Sequence, residues 1–410
     1  MATGTWTLTA RAVLAVLALD VAATTGARAD DAGERAEAML LGSAVNRFVA
    51  KQLPVTLQLR GNRAAGIAPL GVTLVEARYC GAIDVGHGRL VGLLRPGADA
   101  SVGAPLLTGA RDCQDKLDDV VQRIPAGADG VALVEIVIEW APWQLRLALG
   151  NVAASGPGAA ALGAALARAK AAGPLETLDT NGIRLATEGG ATLELDLRIS
   201  FIKAGDADAG AVMGTLTLAA SGARGREPRR SFLDPAGAPA GADAMAGATF
   251  PFAQRVVALY GQDGPLVLQL EGQAIEVRGL QLSGKDGNLA VGGRATSPAM
   301  KESQRLVIEA AGPDLKISEV RAEAELEGCG ADASLAALSC RARNGARSAA
   351  AAAVGSAMTA RYRGQLLRNL LAPPPYSFEI SGRHLTLRLA PLRARATASG
   401  PIVYGHGELD

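Results

Sequence analysis

Aromatic residues and histidines are both scarce in this sequence. Aromatic residues make up 3% of its 410 residues, and the three histidines are His87, His384 and His406. Their spacing gives neither the H-x-x-x-H nor the H-E-x-x-H pattern of a zinc hydrolase helix, and the chain has no G-x-S-x-G nucleophile elbow. We therefore expect a non-catalytic protein without metal or cofactor. A polar pocket that joined His384 to a carboxylate would instead favour an enzyme.

The chain also lacks an excess of charge of either sign. Its 41 basic residues stand against 40 acidic residues, which gives a formal net charge of +1. A nucleic-acid-binding protein needs a basic excess or a clustered basic face, so we expect no nucleic-acid partner. The densest basic cluster is Arg224, Arg226, Arg229 and Arg230. It predicts a solvated linker or, as the alternative, a contact with anionic lipid headgroups.

Long apolar runs are missing as well. No run approaches the roughly 18–20 residues of a transmembrane helix, so we expect no transmembrane segment in the mature chain. Residues 1–29 have the features of a secretory signal peptide: Arg11, the apolar stretch 12–19, and Ala27-Arg28-Ala29 as a cleavage site. The sequence therefore predicts a periplasmic or secreted protein, the alternative being an ordinary N-terminus of a cytosolic one.

Four cysteines fit an exported protein: Cys80, Cys113, Cys329 and Cys340. Export makes disulfides the expected state, and four cysteines allow three connectivities. Pairing within each half of the chain is the simplest, since each bridge then closes a short loop. No pair has C-x-x-C spacing, so neither a redox motif nor a zinc site is expected.

The composition predicts a folded chain in two parts. Hydrophobic residues make up 49% of the sequence. Residues 222–247 are rich in Gly, Ala, Pro and Arg and have linker composition. They separate a first domain, 30–221, from a second domain, 248–410. Apolar and polar residues alternate in both domains, over 145–149, 193–199 and 385–389, and this period of two predicts half-buried antiparallel strands.

Helical periodicity interrupts the strands in four places. Apolar residues recur at helical spacing over 34–53, 249–260 and 346–371, and an Ala-rich segment covers 158–172. Together with the alternating segments, these helices predict an α+β protein. We expect two domains, each a strongly curved antiparallel sheet wrapped on one or two long helices.

One junction occurs three times. A helix is followed by Pro, three alternating apolar residues and a closing Gly at 54–61, 265–272 and 375–382. Further along each half, Gly88-Arg89-Leu90 is echoed by Gly287-Asn288-Leu289. These echoes predict two related domains. The alternative is that helix, Pro, strand and Gly simply form a common succession.

The junctions at 41–61 and 358–382 resemble the opening and closing elements of bacterial tandem-domain members of the tubular lipid-binding superfamily. The resemblance implies strongly bent sheets around long helices and a non-catalytic carrier or scaffold for lipid-like molecules in the envelope. It carries no signature of ligand-binding residues. The Ala-rich helix and the low aromatic content depart from the family.

The leading hypothesis is an exported protein that binds a lipid-like or other hydrophobic ligand in an apolar cleft between sheet and helix. The ligand-binding residues are predicted to be Leu41, Val45, Phe48, Phe252, Val256, Met358, Tyr362, Leu366 and Leu370. The alternative is a structural or interaction module of the bacterial cell envelope, with filled cores and with exposed strand edges for a partner protein.

Overall fold

The computed structural model confirms the mixed α+β class, with strands that pair antiparallel. It describes residues 34–59, 70–97, 106–107, 111–127, 129–141, 144–179, 183–186, 192–203, 210–218, 231–233, 235–260, 265–270, 273–285, 287–296, 303–312, 314–365, 376–380 and 383–409.

The first half of the chain contains ten strands and four helices in these described ranges. The strands are β1 (Arg35–Leu41), β2 (Val55–Leu59), β3 (Leu70–Asp84), β4 (His87–Pro96), β5 (Val131–Ala141), β6 (Gln144–Ser155), β7 (Glu176–Asp179), β8 (Ile183–Ala186), β9 (Thr192–Ile202) and β10 (Ala211–Leu218). The helices are α1 (Gly42–Gln52), α2 (Arg111–Gln114), α3 (Leu117–Arg123) and α4 (Ala159–Ala171).

The second half adds nine strands and two helices to the described elements. The strands are β11 (Ala244–Ala248), β12 (Leu266–Leu270), β13 (Gln273–Lys285), β14 (Asn288–Thr296), β15 (Gln304–Ala311), β16 (Lys316–Ala324), β17 (Tyr376–Ile380), β18 (Arg383–Ala396) and β19 (Pro401–Leu409). The helices are α5 (Phe250–Tyr260) and α6 (Leu335–Tyr362).

Two of the three sheets are simple meanders. One has the order β2-β3-β4-β5-β6-β7, and the other has the order β12-β13-β14-β15-β16. Their long hairpins contain register shifts, for example between Tyr79 and Ala82 in β3 and between Arg278 and Gln281 in β13. Gly81 and Gly279 lie inside these shifts with φ of +86° and +60°. Such bulges bend and twist strands, which is the physical origin of the curled, half-barrel shape in the fold.

The third sheet contains strands from both halves. Its order is β17-β18-β19-β11-β1-β10-β9-β8. The order is symmetric about the β11–β1 pair, because β10, β9 and β8 follow β1 outward as β19, β18 and β17 follow β11. Each central strand also leads into a helix and then into a meander. The two halves thus repeat one succession of elements and share one sheet.

The largest apolar cluster is continuous between the halves. It contains the inward face of the shared sheet, including Ala38 and Ala246, together with Phe48 of α1 and Phe252 of α5. The same cluster includes the α1-facing side of the β2–β7 meander. The opposite side of that meander is covered by α3 in a smaller cluster. Strand β5 is therefore covered on both faces, which explains its nearly continuous apolar sequence.

The β12–β16 meander packs against the C-terminal part of α6. Met358 is fully buried there against Ile275, Val277 and other strand residues. A Cβ at Gly355 would lie 2.9 Å from the Ala322 backbone nitrogen, so only glycine permits this close approach. Next to it, the Thr359 hydroxyl accepts a hydrogen bond from the Val320 amide at 2.8 Å and donates one to its carbonyl at 3.0 Å.

Several predicted boundaries are corrected by the structure. The segment 34–53 is not one helix, because Arg35–Leu41 forms the strand between β10 and β11. The last long helix begins at Leu335 and ends at Tyr362, where the 346–371 prediction extended it further; residues 366–371 lie outside the described residues. Residues 244–247, assigned to the linker, belong to the buried strand β11. The helices expected over 158–172 and 249–260 are confirmed as α4 and α5.

The local disulfide pairing is confirmed. Cys80 is bonded to Cys113 and Cys329 to Cys340, with sequence separations of 33 and 11 residues. The first bridge links β3 to the short helix α2. The second links the segment before α6 to the first turns of that helix.

Candidate functional site

The candidate site lies along the buried face of α1. Val45, Phe48, Val49 and Gln52 are spaced by three and four residues, which places them on one side of the helix. Each is between 3% and 4% exposed. Val45, Phe48 and Val49 belong to the same apolar cluster as Val55, Leu74, Leu90 and Leu94 of the β2–β7 meander. This face is thus an apolar interface between a helix and a curved sheet.

Two polar contacts fix the position of α1. The Asn46 side-chain oxygen accepts a hydrogen bond from the Tyr79 amide at 2.6 Å, which joins the helix to β3. On another side, Arg47 forms an ion pair with the buried carboxylate of Asp243 and donates to the Gly407 carbonyl at 2.8 Å. The Gly407 amide in turn donates to Asp243 at 3.0 Å. The helix is therefore tied to its own sheet and to the shared sheet.

The predicted ligand-binding residues divide between different parts of the core. Val45, Phe48, Phe252 and Val256 are buried and lie in the one continuous cluster. Met358 is buried in the α6 cluster, with Tyr362 partly buried beside it. Leu41, the last residue of β1, is half-buried against a separate cluster on the other face of the shared sheet. Leu366 and Leu370 lie outside the described residues.

Gln52 of α1 is not among the residues predicted for the site. It lies seven residues after Val45, so it continues the apolar stripe as its single polar member. Its side-chain oxygen Oε1 is buried and has no hydrogen-bond partner among the described residues. The signal was present in the sequence, because an amide at a position that helical periodicity assigns to the interior is unusual.

A second buried polar group lies on the shared sheet. Glu37 of β1 is fully buried, forms an ion pair with Arg35 at 2.9 Å, and accepts hydrogen bonds from the Ser231 hydroxyl at 2.6 Å and the Phe232 amide at 3.1 Å. Burial raises the pKa of Glu37 above its ordinary value, against the opposing effect of these partners. Its side chain holds the segment 231–233 on the sheet.

In the part of the chain that the structure describes, His87 and His406 each lie beside an aspartate. His87 lies beside Asp84 in an exposed turn, at 2.8 Å, and this hydrogen bond lowers the pKa of Asp84. His406 lies 3.2 Å from Asp243 at the end of the Arg47 network. The side chain of His384 lies outside the described residues. The described residues contain no group of three or more His, Cys, Asp or Glu side chains suited to a metal ion.

A distinct surface feature is formed by residues 325–350, which we call the arm. The segment before α6 runs beside the first turns of the helix and is held there by Cys329–Cys340 and by Glu327. Glu327 forms ion pairs with Arg343 at 3.3 Å and Arg347 at 2.8 Å, and these contacts lower its pKa. The arm nevertheless exposes three leucines: Leu326 at 58%, Leu335 at 83% and Leu338 at 51%.

No family model matches the chain, and no curated protein matches it. Among solved structures, P47 from Clostridium botulinum A2 is similar over 92% of this chain and 97% of that one, with 7% identity and a TM-score of 0.38. P47 of Clostridium botulinum E1 is similar over 91% of this chain and 99% of that one, with 8% identity and a TM-score of 0.32. Likeness at this level supports no conclusion about fold or function.

Of the helices in the described ranges, none is both long enough and apolar enough to cross a membrane.

Proposed function

We propose that this protein is an exported, non-catalytic carrier that binds a lipid-like or other hydrophobic molecule between helix α1 and the β2–β7 meander. The supporting observation is the chemistry of that interface, which Val45, Phe48 and Val49 form with valines and leucines of the sheet. Aliphatic side chains on both sides suit an alkyl or polycyclic ligand, because burying apolar ligand surface is favourable by about 25 cal/mol per Å².

The symmetric succession of elements extends this proposal to the second half. In the proposed arrangement the chain is a tandem pair of related domains, each a curved sheet wrapped on long helices. Helix α5 and the β12–β16 meander then correspond to α1 and the β2–β7 meander, and Phe252 and Val256 of α5 line the second site. Resemblance to the tubular lipid-binding superfamily implies the same use of both units.

The experiment compares two valine-to-phenylalanine variants in helices that cover opposite faces of the β2–β7 meander. Val49→Phe adds bulk to the proposed ligand site, and Val121→Phe adds the same bulk to the α3 side. Both changes overpack a buried site and cost about 1–3 kcal/mol. Binding of an uncharged fluorescent alkyl probe should be weakened by Val49→Phe alone. Equal binding by both folded variants, or no probe binding by the unmodified protein, would contradict the proposal.

The arm favours a second candidate function, an interaction module of the cell envelope. A disulfide and the Glu327 contacts hold Leu335 and Leu338 in an exposed position, where they can insert into an apolar recess of a partner protein. A photo-crosslinking residue at Leu335 should then give one discrete crosslinked product in cells. The matched control is Leu392, which is 40% exposed on β18. Identical patterns at both positions would argue against this function.

A further inference from the structure

The buried amide of Gln52 is unusual in its surroundings. On the buried face of α1 it follows Phe48 and Val49. Three residues after Gln52 the chain enters β2 at Val55, which is paired with Leu74 of β3. All four of these residues belong to the apolar cluster that α1 forms with the sheet. Gln52 therefore presents a polar group within an otherwise apolar interface between α1 and the sheet.

Burial of the carbonyl oxygen of this amide is unfavourable in free energy, because no group in the described ranges replaces its hydrogen bonds to water. Gln52 is 4% exposed, and its Oε1 has no hydrogen-bond partner within the described ranges. A buried acceptor that loses its water partners without replacement is unfavourable, and native proteins satisfy most such groups. A molecule that enters the interface and donates a hydrogen bond would remove this cost.

We propose that Gln52 is the polar anchor of the ligand site and that it selects a hydrophobic alcohol. This inference rests on the proposed function of the α1 interface. The oxygen requires a donor, which a hydroxyl group provides and an ester or ether does not. The amide is neutral, so it does not balance the charge of an ionised carboxylate or a phosphate, and burying such a charge unpaired is costly. The ligand class is thus a long-chain or polycyclic molecule with an uncharged hydroxyl.

The test measures binding of 1-dodecanol and of dodecyl methyl ether to the full-length mature protein, by displacement of a fluorescent fatty probe. The two molecules differ mainly in whether the oxygen can donate. We expect the alcohol to bind about 10-fold more tightly than the ether, since leaving a buried acceptor unpaired costs on the order of that factor. In Gln52→Leu this preference should fall to about 1-fold, while binding of the ether is kept.

The matched control is Gln304→Leu. Gln304 of β15 is also buried, at 9% exposure, and its Oε1 likewise lacks a partner among the described residues, but it lies in the other meander. This variant should keep the preference for the alcohol. Equal binding of alcohol and ether by the unmodified protein would overturn the anchor and leave the carrier function intact. Failure to bind either molecule would instead overturn the proposed function.

Discussion

Two glycines of α6 are predicted to respond in opposite directions to the same substitution. Gly355 faces β16, and an added Cβ would meet the Ala322 nitrogen at 2.9 Å and the Val320 oxygen at 3.0 Å. Both atoms are backbone, so the helix or the strand must move, which costs about 1–3 kcal/mol. Better helix propensity offsets about 1 kcal/mol of this. Gly355→Ala should therefore lower the free energy of unfolding by up to about 2 kcal/mol.

The matched change is Gly345→Ala, ten positions earlier in the same helix. Nothing lies within 4 Å of its added Cβ, so the substitution meets open space. It should raise the free energy of unfolding by about 0.5–1 kcal/mol through helix propensity alone. Urea denaturation followed by circular dichroism measures both values. Stabilisation by Gly355→Ala would refute the close packing of α6 on β16, and destabilisation by Gly345→Ala would refute the exposure of the arm.

Further predictions concern the buried carboxylate and the disulfides. Because the pKa of Glu37 is raised in the folded state, its contribution to stability is present at low pH and is lost as pH rises through the folded pKa. Glu37→Gln should therefore flatten the dependence of unfolding free energy on pH above 4.5; an unchanged slope would contradict this. Replacing Cys80 and Cys113 by Ala should lower the free energy of unfolding in urea by about 3–4 kcal/mol, because this disulfide closes the longer of the two loops. A loss below about 1 kcal/mol would contradict the chain-entropy argument. Reduction of Cys329–Cys340 should speed hydrogen exchange in the first turns of α6 and leave the turns around Met358 protected; equal protection along the helix would show that the bridge does not hold the arm.

The sequence predicted an element correctly where the spacing of its apolar residues matches the side that is buried in the fold. The alternating residues of β6 and β9 lie with one face toward the core, so their period of two predicted strands correctly. Helices α4 and α5 were predicted within a residue at their ends. The local cysteine pairing followed from loop length and is present in the structure.

The failure at β1 has a tertiary cause. Arg35–Leu41 consists of Ala, Glu, Met, Leu and Arg, all of which favour helices. The segment is nevertheless a strand, because β10 and β11 pair with its two edges and separate apolar clusters cover its two faces. Those partners lie far away in the sequence, so no local pattern contains them.

The organisation of the chain was predicted only in part. The repeated junctions predicted two related domains; in the structure each half runs from a central strand of the shared sheet through a helix into a meander. Sequence patterns gave no indication that β1 and β11 pair with each other, since the register of Ala38 opposite Ala246 joins distant segments. Gln52 shows the same limitation at the site, because its burial depends on the sheet that packs over α1.

The central claim is that the mature protein carries a hydrophobic molecule. Mass spectrometry of an organic extract of the protein, purified natively from an oxidising compartment and beginning at residue 30, tests it most directly. We expect a single neutral hydroxylated lipid-like species in stoichiometric amount. The amount of this species should fall in the Val49→Phe variant and stay unchanged in the Val121→Phe variant. A folded protein whose extract contains no such species, and which takes up none when incubated with total lipid, would contradict the account.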